Sequence, residues 1–284
     1  MKYKMTFLIE LNNVNFEYDN FKISNVSFKL KEGEKLALIG ANGSGKTTIL
    51  KLILNLLKRK SGIIKAFGLE VNKKNEWEIR KKIGFLFQNP DDQLFAPTVW
   101  EDVAFGPRNL KMSQKEVEIV VEWALKSVKM LKYKNVSPVN LSWGQKKLVA
   151  LAGILAMKPK ILFLDEPFAN LDMLAVKELL EILENLRKNE NLTILFTTHN
   201  HFIIQYWADR IIVLKNGTII YEGNPEDGLK LPEIKKAIGT WDDIIKIIYP
   251  GGEIHEHPHI HIHSHKHIHY SDLESHEHKH DNFD

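Results

Sequence analysis

Gly40-Ala41-Asn42-Gly43-Ser44-Gly45-Lys46-Thr47 decides how this chain folds. The continuous apolar run Leu36 to Ile39 precedes it and suits a strand buried on both faces. Ile49, Leu50, Leu52, Ile53 and Leu56 follow, spaced as one face of a helix. Strand, glycine-rich loop and helix is the setting in which the pattern G-x-x-x-x-G-K-S/T binds phosphate. Gly43, Ser44 and Gly45 can turn successive amides inward as an anion nest, because glycine accepts the backbone angles this requires. Lys46 is expected to bridge the β- and γ-phosphates, Thr47 to hold Mg²⁺, and the helix to direct its positive end at the same charge.

A second buried strand, Ile161 to Leu164, runs into Asp165-Glu166-Pro167. An acid at the end of such a strand reaches the sheet edge that carries the phosphate loop, so Asp165 is a candidate magnesium residue. Glu166 beside it is a candidate to orient and polarise an attacking water. Helices near Ser113 to Met130, Ser142 to Pro159 and Leu174 to Lys188 alternate with strands at Ile83 to Phe87, Ile161 to Leu164 and Thr193 to Thr197. That order implies a mostly parallel sheet with helices on both faces. Leu8 to Leu30 alternates as an antiparallel sheet does, and Ile211 to Glu222 reads as a hairpin turning at Asn216-Gly217.

Leu141-Ser142-Trp143-Gly144-Gln145-Lys146-Lys147 opens the helix just before the Asp165 strand. In this order with the phosphate loop and Asp165-Glu166, it resembles the signature of ATP-binding-cassette (ABC) ATPases. The resemblance implies an α/β P-loop NTPase cassette over residues 1–250. It would have a mostly parallel core sheet, an antiparallel β-subdomain, an inserted helical subdomain at about 89–158 and short helices at about 225–248. It also implies ATP and Mg²⁺, with Gly40, Asn42 and Thr48 joining the phosphate loop. Tyr18 matches the aromatic that stacks on adenine, Gln88 the glutamine that reaches metal and water, and His199 the histidine on the γ-phosphate. Asn170-Leu171-Asp172 matches the loop that crosses a head-to-tail dimer, in which Ser142, Gly144 and Gln145 of one subunit face the nucleotide of the other. The third signature position, usually glycine in that family, is Trp143.

Gln88-Asn89-Pro90-Asp91-Asp92-Gln93-Leu94-Phe95 and Glu101-Asp102-Val103-Ala104-Phe105-Gly106-Pro107 resemble the ATPase subunits of energy-coupling-factor importers, most closely those for cobalt and nickel. This implies a peripheral protein on the cytoplasmic face of the cell membrane. Its partners would be a multi-span coupling subunit and a substrate-binding membrane subunit, and its dimer would form with itself or with a paralogous ATPase.

The 284 residues are 44% hydrophobic and 26% charged, a globular composition. The longest uncharged apolar run, Leu148 to Met157, is about half the roughly 20 residues that a membrane span needs. Met1-Lys2-Tyr3-Lys4 does not open a signal peptide, and with no Cys there are no disulfides or thiolate metal sites. Residues 251–284 carry two Lys against seven Asp and Glu, a net −5, which leaves +8 on residues 1–250. Nucleic acid is not expected as the partner of that positive charge. DNA-repair relatives need a long coiled coil between phosphate loop and signature, and translation-linked relatives carry two cassettes.

Eleven of the 13 His lie beyond Pro250-Gly251-Gly252. His255, His257, His259, His261, His263, His265, His267 and His269 recur at every second position. Residues i and i+2 of an extended chain lie roughly 7 Å apart on one face, so these imidazoles are candidate ligands for Ni²⁺, Co²⁺ or Zn²⁺ on a disordered tail, 251–284. Two other functions compete: uptake of a vitamin or other micronutrient with the tail as a metal buffer, and a nickel metallochaperone nucleotidase. The second needs Asn-Lys-x-Asp, and Asn72-Lys73-Lys74-Asn75 lacks the Asp.

Overall fold

The computed structural model describes residues 7–18, 21–239, 253–258 and 264–269. Strands β1 (Phe7–Tyr18) and β2 (Phe21–Lys31) pair antiparallel, and β3 (Lys35–Ile39) leads through the phosphate loop into helix α1 (Lys46–Ile53). β4 (Ser61–Ala66) and β5 (Leu69–Glu70) extend the first pair into a four-stranded antiparallel sheet, β2-β1-β4-β5. After α2 (Glu76–Arg80) and β6 (Ile83–Leu86), helices α3 (Val99–Asn109), α4 (Gln114–Ser127) and α5 (Trp143–Leu155) pack on one another. β7 (Ile161–Leu164), α6 (Met173–Glu190), β8 (Thr193–Thr197), α7 (His201–Trp207), β9 (Arg210–Lys215) and β10 (Thr218–Gly223) follow, then α8 (Pro225–Lys230) and α9 (Pro232–Ile238).

The central sheet has the order β10-β9-β3-β8-β7-β6, parallel except at the β10 edge. Its strands are apolar on both faces, and their two-residue period sorts them into two cores. Leu36, Leu38, Ile161, Phe163, Ile212 and Leu214 face α1 and the antiparallel sheet. Ala37, Ile39, Leu162, Leu164, Ile211 and Val213 face the core built by α3 to α7.

Parallel strands bring their carboxyl ends to one edge. The phosphate loop follows β3 there, Phe87-Gln88 follows β6, Asp165-Glu166 follows β7 and Thr198-His199 follows β8. Ser113 and Glu116 form a capping box on α4, and Asn216 and Gly217, both at positive φ, turn the β9–β10 hairpin.

Two features differ from the sequence reading. β4 and β5 were not expected, because only alternate residues such as Ile64 and Ala66 are buried in a charged stretch. α3 forms in a proline-containing stretch for which the sequence reading named no individual helix. Thr98 caps it, and Pro107 falls in its last turn, where the loss is limited to one intrahelical bond close to the end.

The chain divides into two compact units at Ile238/Gly239. In the second, Glu253–Pro258 (β11) and Ser264–His269 (β12) pair antiparallel, with His255 opposite His267 and His257 opposite His265. His259, His261 and His263 lie outside the described residues.

Candidate functional site

The loop after β3 winds around an open cavity of about 480 Å³, lined by Asn42, Gly43, Gly45, Lys46, Thr47 and Thr48. Gly43 and Gly45 stand at φ +78° and +108°, which aims their amides inward. Gly40 is required for a different reason: a Cβ there would lie 2.2 Å from the Leu214 carbonyl oxygen. The buried Lys46 ammonium donates to the Gly40 and Ala41 carbonyls at 2.8 and 3.2 Å, folding back over its own loop. Burial lowers its pKa against the opposing pull of the Glu166 and Asp165 carboxylates. Among the described residues, Ser44 Oγ has no hydrogen-bond partner and is buried. An unpaired hydroxyl, converging amides and an ammonium form a set that a polyphosphate satisfies.

A hydrogen-bond relay supports the acidic side. The Thr47 hydroxyl donates to Asp165 Oδ2 at 2.8 Å, and the Thr197 hydroxyl donates to Asp165 Oδ1 at 2.7 Å. The Glu166 amide in turn donates to Thr197 Oγ1 at 2.8 Å. Glu166 sits at φ +45°, an unusual angle for a residue with a side chain, with its peptide held from both ends. His199 Nδ1 lies 3.1 Å from Glu166 Oε2, and both side chains line the cavity with Gln88 and Asp165. Oxygen donors from Thr47, Asp165 and Gln88 at a phosphate edge match what Mg²⁺ accepts.

Ser142 and Gln145 form a reciprocal capping box at the start of α5. The Gln145 amide donates to Ser142 Oγ, which leaves the hydroxyl proton free to donate outward. With Gly144, Leu171 and Lys147 they line a separate cavity, so one copy of the chain does not bring its signature to its own Lys46. Asp172 caps α6 by accepting from the Ala175 amide at 2.8 Å.

Tyr18 is 67% exposed and does not line the phosphate cavity. Its strand-pair neighbour Phe21 does, and packs where a Cβ on Gly45 would stand. Sequence reasoning passed over Phe21, which reads as an ordinary strand aromatic.

A third cavity, about 330 Å³ and mainly apolar, opens beside α3 between Trp77, Phe95, Phe105 and Met157. Phe95 and Phe105 meet edge to face at 4.7 Å and are both exposed. The buried Asp102 carboxylate accepts the Phe95 and Ala96 amides at 2.8 Å and fixes the turn that presents them. Burial raises the Asp102 pKa against those two donors.

Residues 23–169 match the ABC transporter family, and they span the phosphate loop, signature and acidic pair described above. The chain belongs to this family. It is an ATP-binding cassette, the ATPase subunit of a transporter. The cassette is 42% identical to the energy-coupling factor transporter ATP-binding protein EcfA of Carboxydothermus hydrogenoformans, over 84% of this chain and 92% of that one. It is also 42% identical to EcfA of Methanocaldococcus jannaschii, over 78% and 80%. Among solved structures it resembles CbiO1 of Clostridium perfringens, described as part of the ABC transporter complex CbiONQ. That match has a TM-score of 0.74 at 33% identity over 86% of this chain and 96% of that one. These likenesses place the cassette with energy-coupling-factor ATPases. Among the described residues, no helix is long and apolar enough to cross a membrane.

Proposed function

We propose that the chain binds and hydrolyses ATP in a head-to-tail dimer and so drives uptake of a transition-metal ion, cobalt or nickel, through membrane-embedded partners. The observation that carries the dimer is the separation of the signature cavity from the phosphate cavity. The phosphate cavity is open on one side, and Ser142 and Gly144 of a second copy supply donors suited to close it over the γ-phosphate.

Within each half, the Gly43 to Gly45 amides, Ser44 and Lys46 hold the phosphates, and Phe21 flanks the base side, with Tyr18, its exposed strand-pair neighbour, available to stack on the adenine. Thr47, Asp165 and Gln88 would hold magnesium, which offsets phosphate charge when bound. Glu166 orients the attacking water and takes up its proton, and His199 steadies the Glu166 carboxylate and the γ-phosphate side. Gln145 and Asp172 hold the signature and the dimer-crossing loop in shape.

The apolar cavity around Phe95 and Phe105 has the character of a docking site for a coupling subunit, with a separate substrate-binding membrane subunit alongside. The eleven tail His favour a metal as cargo over a vitamin, with the tail as a Ni²⁺, Co²⁺ or Zn²⁺ store. Uptake of radiolabelled Ni²⁺ and Co²⁺ in cells expressing the chain with its membrane partners tests this. Accumulation should depend on Glu166. Metal uptake equal to that of cells without the chain, alongside intact ATPase activity, would replace the metal with another micronutrient.

A further inference from the structure

Lys147 is the one fully buried lysine among the described residues, and none of the roles above uses it. It lies in the second turn of α5, at the end of the Leu141 to Lys147 signature stretch. No carboxylate among the described residues comes within 4 Å of its ammonium, which contacts only the carbonyl oxygens of Glu166 and Ala169, both at 3.4 Å. Burial pushes its pKa down to about 8, partly offset by the Glu166 charge. A buried cation without a counter-ion is costly, and a methionine would fill the same space without that cost. A local rule broken with no packing return marks a functional position.

The two carbonyls show what it does. The Glu166 carbonyl also accepts the Ala169 amide at 3.2 Å, so Glu166 to Ala169 is a tight turn that Lys147 clamps at both ends. The Glu166 amide is held from the other side by Thr197. Both peptides flanking the left-handed Glu166 backbone are thus hydrogen-bonded, which holds it at that angle. The same turn continues into Asn170, also at positive φ, and Asp172.

We propose that Lys147 is a positioning residue for hydrolysis, clamping the Glu166–Ala169 turn from the signature helix so that the Glu166 carboxylate stays aimed into the phosphate cavity. The inference rests on the role proposed above for Glu166. It also makes the signature helix and the catalytic turn one mechanical unit, so a second copy that engages Ser142 and Gly144 acts on Glu166 through Lys147.

The test is a double-mutant cycle on the full chain, read by steady-state phosphate release and ATP affinity. Lys147→Met should lower kcat by about 10- to 100-fold, the effect of a displaced catalytic group, with the KM for ATP within about twofold. In the Glu166→Gln background the same substitution should change the residual rate by less than about twofold, because the carboxylate it positions is already gone. A loss of equal size in both backgrounds, or a change in KM alone, overturns the proposal. If Lys147→Met does not melt cooperatively, Lys147→Arg, which keeps donors for the two carbonyls, is read instead: kcat within about threefold of the wild type is expected, and a loss of about tenfold or more of equal size in both backgrounds overturns the proposal. Should Glu166→Gln by itself leave kcat unchanged, the role of Glu166 fails first, and the cycle distinguishes the two failures.

Discussion

Thr47 and Asp165, 118 positions apart, share a 2.8 Å hydrogen bond from the Thr47 hydroxyl to Oδ2. Thr197 donates to the other oxygen of the same carboxylate, so one acid joins the phosphate loop to two strands of the central sheet. The loop is therefore anchored through its acidic partner as well as through its own backbone.

Thr197→Val keeps the shape of this junction and removes its hydroxyl. The Glu166 amide, buried and donating to that hydroxyl, is left unsatisfied at a cost of roughly 1–3 kcal/mol. Calorimetry should show a melting temperature lower by roughly 2–10 °C. Hydrolysis should fall as well, and an unchanged transition would remove Thr197 from the junction.

Glu166→Gln preserves size and hydrogen bonding but not the proton-accepting charge. Phosphate release should drop by about 100-fold or more, while ATP binding persists and size-exclusion chromatography with ATP shows a stable dimer. Turnover at the wild-type rate would take Glu166 out of the reaction.

Glu184 gives the acid limb of stability. Burial raises its pKa, but donors from Lys35, Arg187 and Trp207 outweigh this and hold the group at about 2, against 4.5 unfolded. A depressed carboxylate contributes stability that is complete above pH 4.5 and is lost as pH falls through the folded value near 2. Urea midpoints should therefore decline more steeply between pH 4.5 and 2 in the wild type than in Glu184→Gln.

Removing residues 251–284 should eliminate most Ni²⁺ binding by calorimetry and leave ATP turnover intact. Loss of ATPase activity on truncation would make the tail part of the catalytic unit.

Asp91 in the turn after Gln88 pairs with Lys146 of the signature helix at 2.7 Å, and the same turn continues into Gln93 and Leu94, which line the apolar cavity. Replacing Asp91 and Asp92 with Ala should reduce copurification with the membrane subunits several-fold more than it reduces ATP affinity. Equal losses in both would contradict docking at this face.

The parallel sheet, the phosphate loop and Asp165-Glu166 were legible because continuous apolar runs stop there at glycine or acid, whereas Gln88 and His199 came from the family resemblance. Those signals are local. Lys147 was not legible: a lysine in a polar helix start reads as solvated, and only the packing of α5 on the Glu166 turn buries it. Phe21 was missed for a similar reason, since its place beside Gly45 depends on how β2 meets the loop. The separation of the two halves of the site was expected from the family resemblance, whereas the apolar cavity beside α3 needed a helix that Pro97 and Pro107 disguised.

The two-core alternation of the central sheet also limits how this chain can change length. One residue inserted within β3 would exchange Leu36 and Leu38 with Ala37 and Ile39 across the sheet, sending large side chains where small ones fit and moving Gly40 off the Leu214 carbonyl. The same holds at β7, where a shift would put Asp165 into a core. The fold should therefore tolerate insertions and deletions best in the connections at the opposite edge and within the helical region, with the spacing from strand to site residue held fixed.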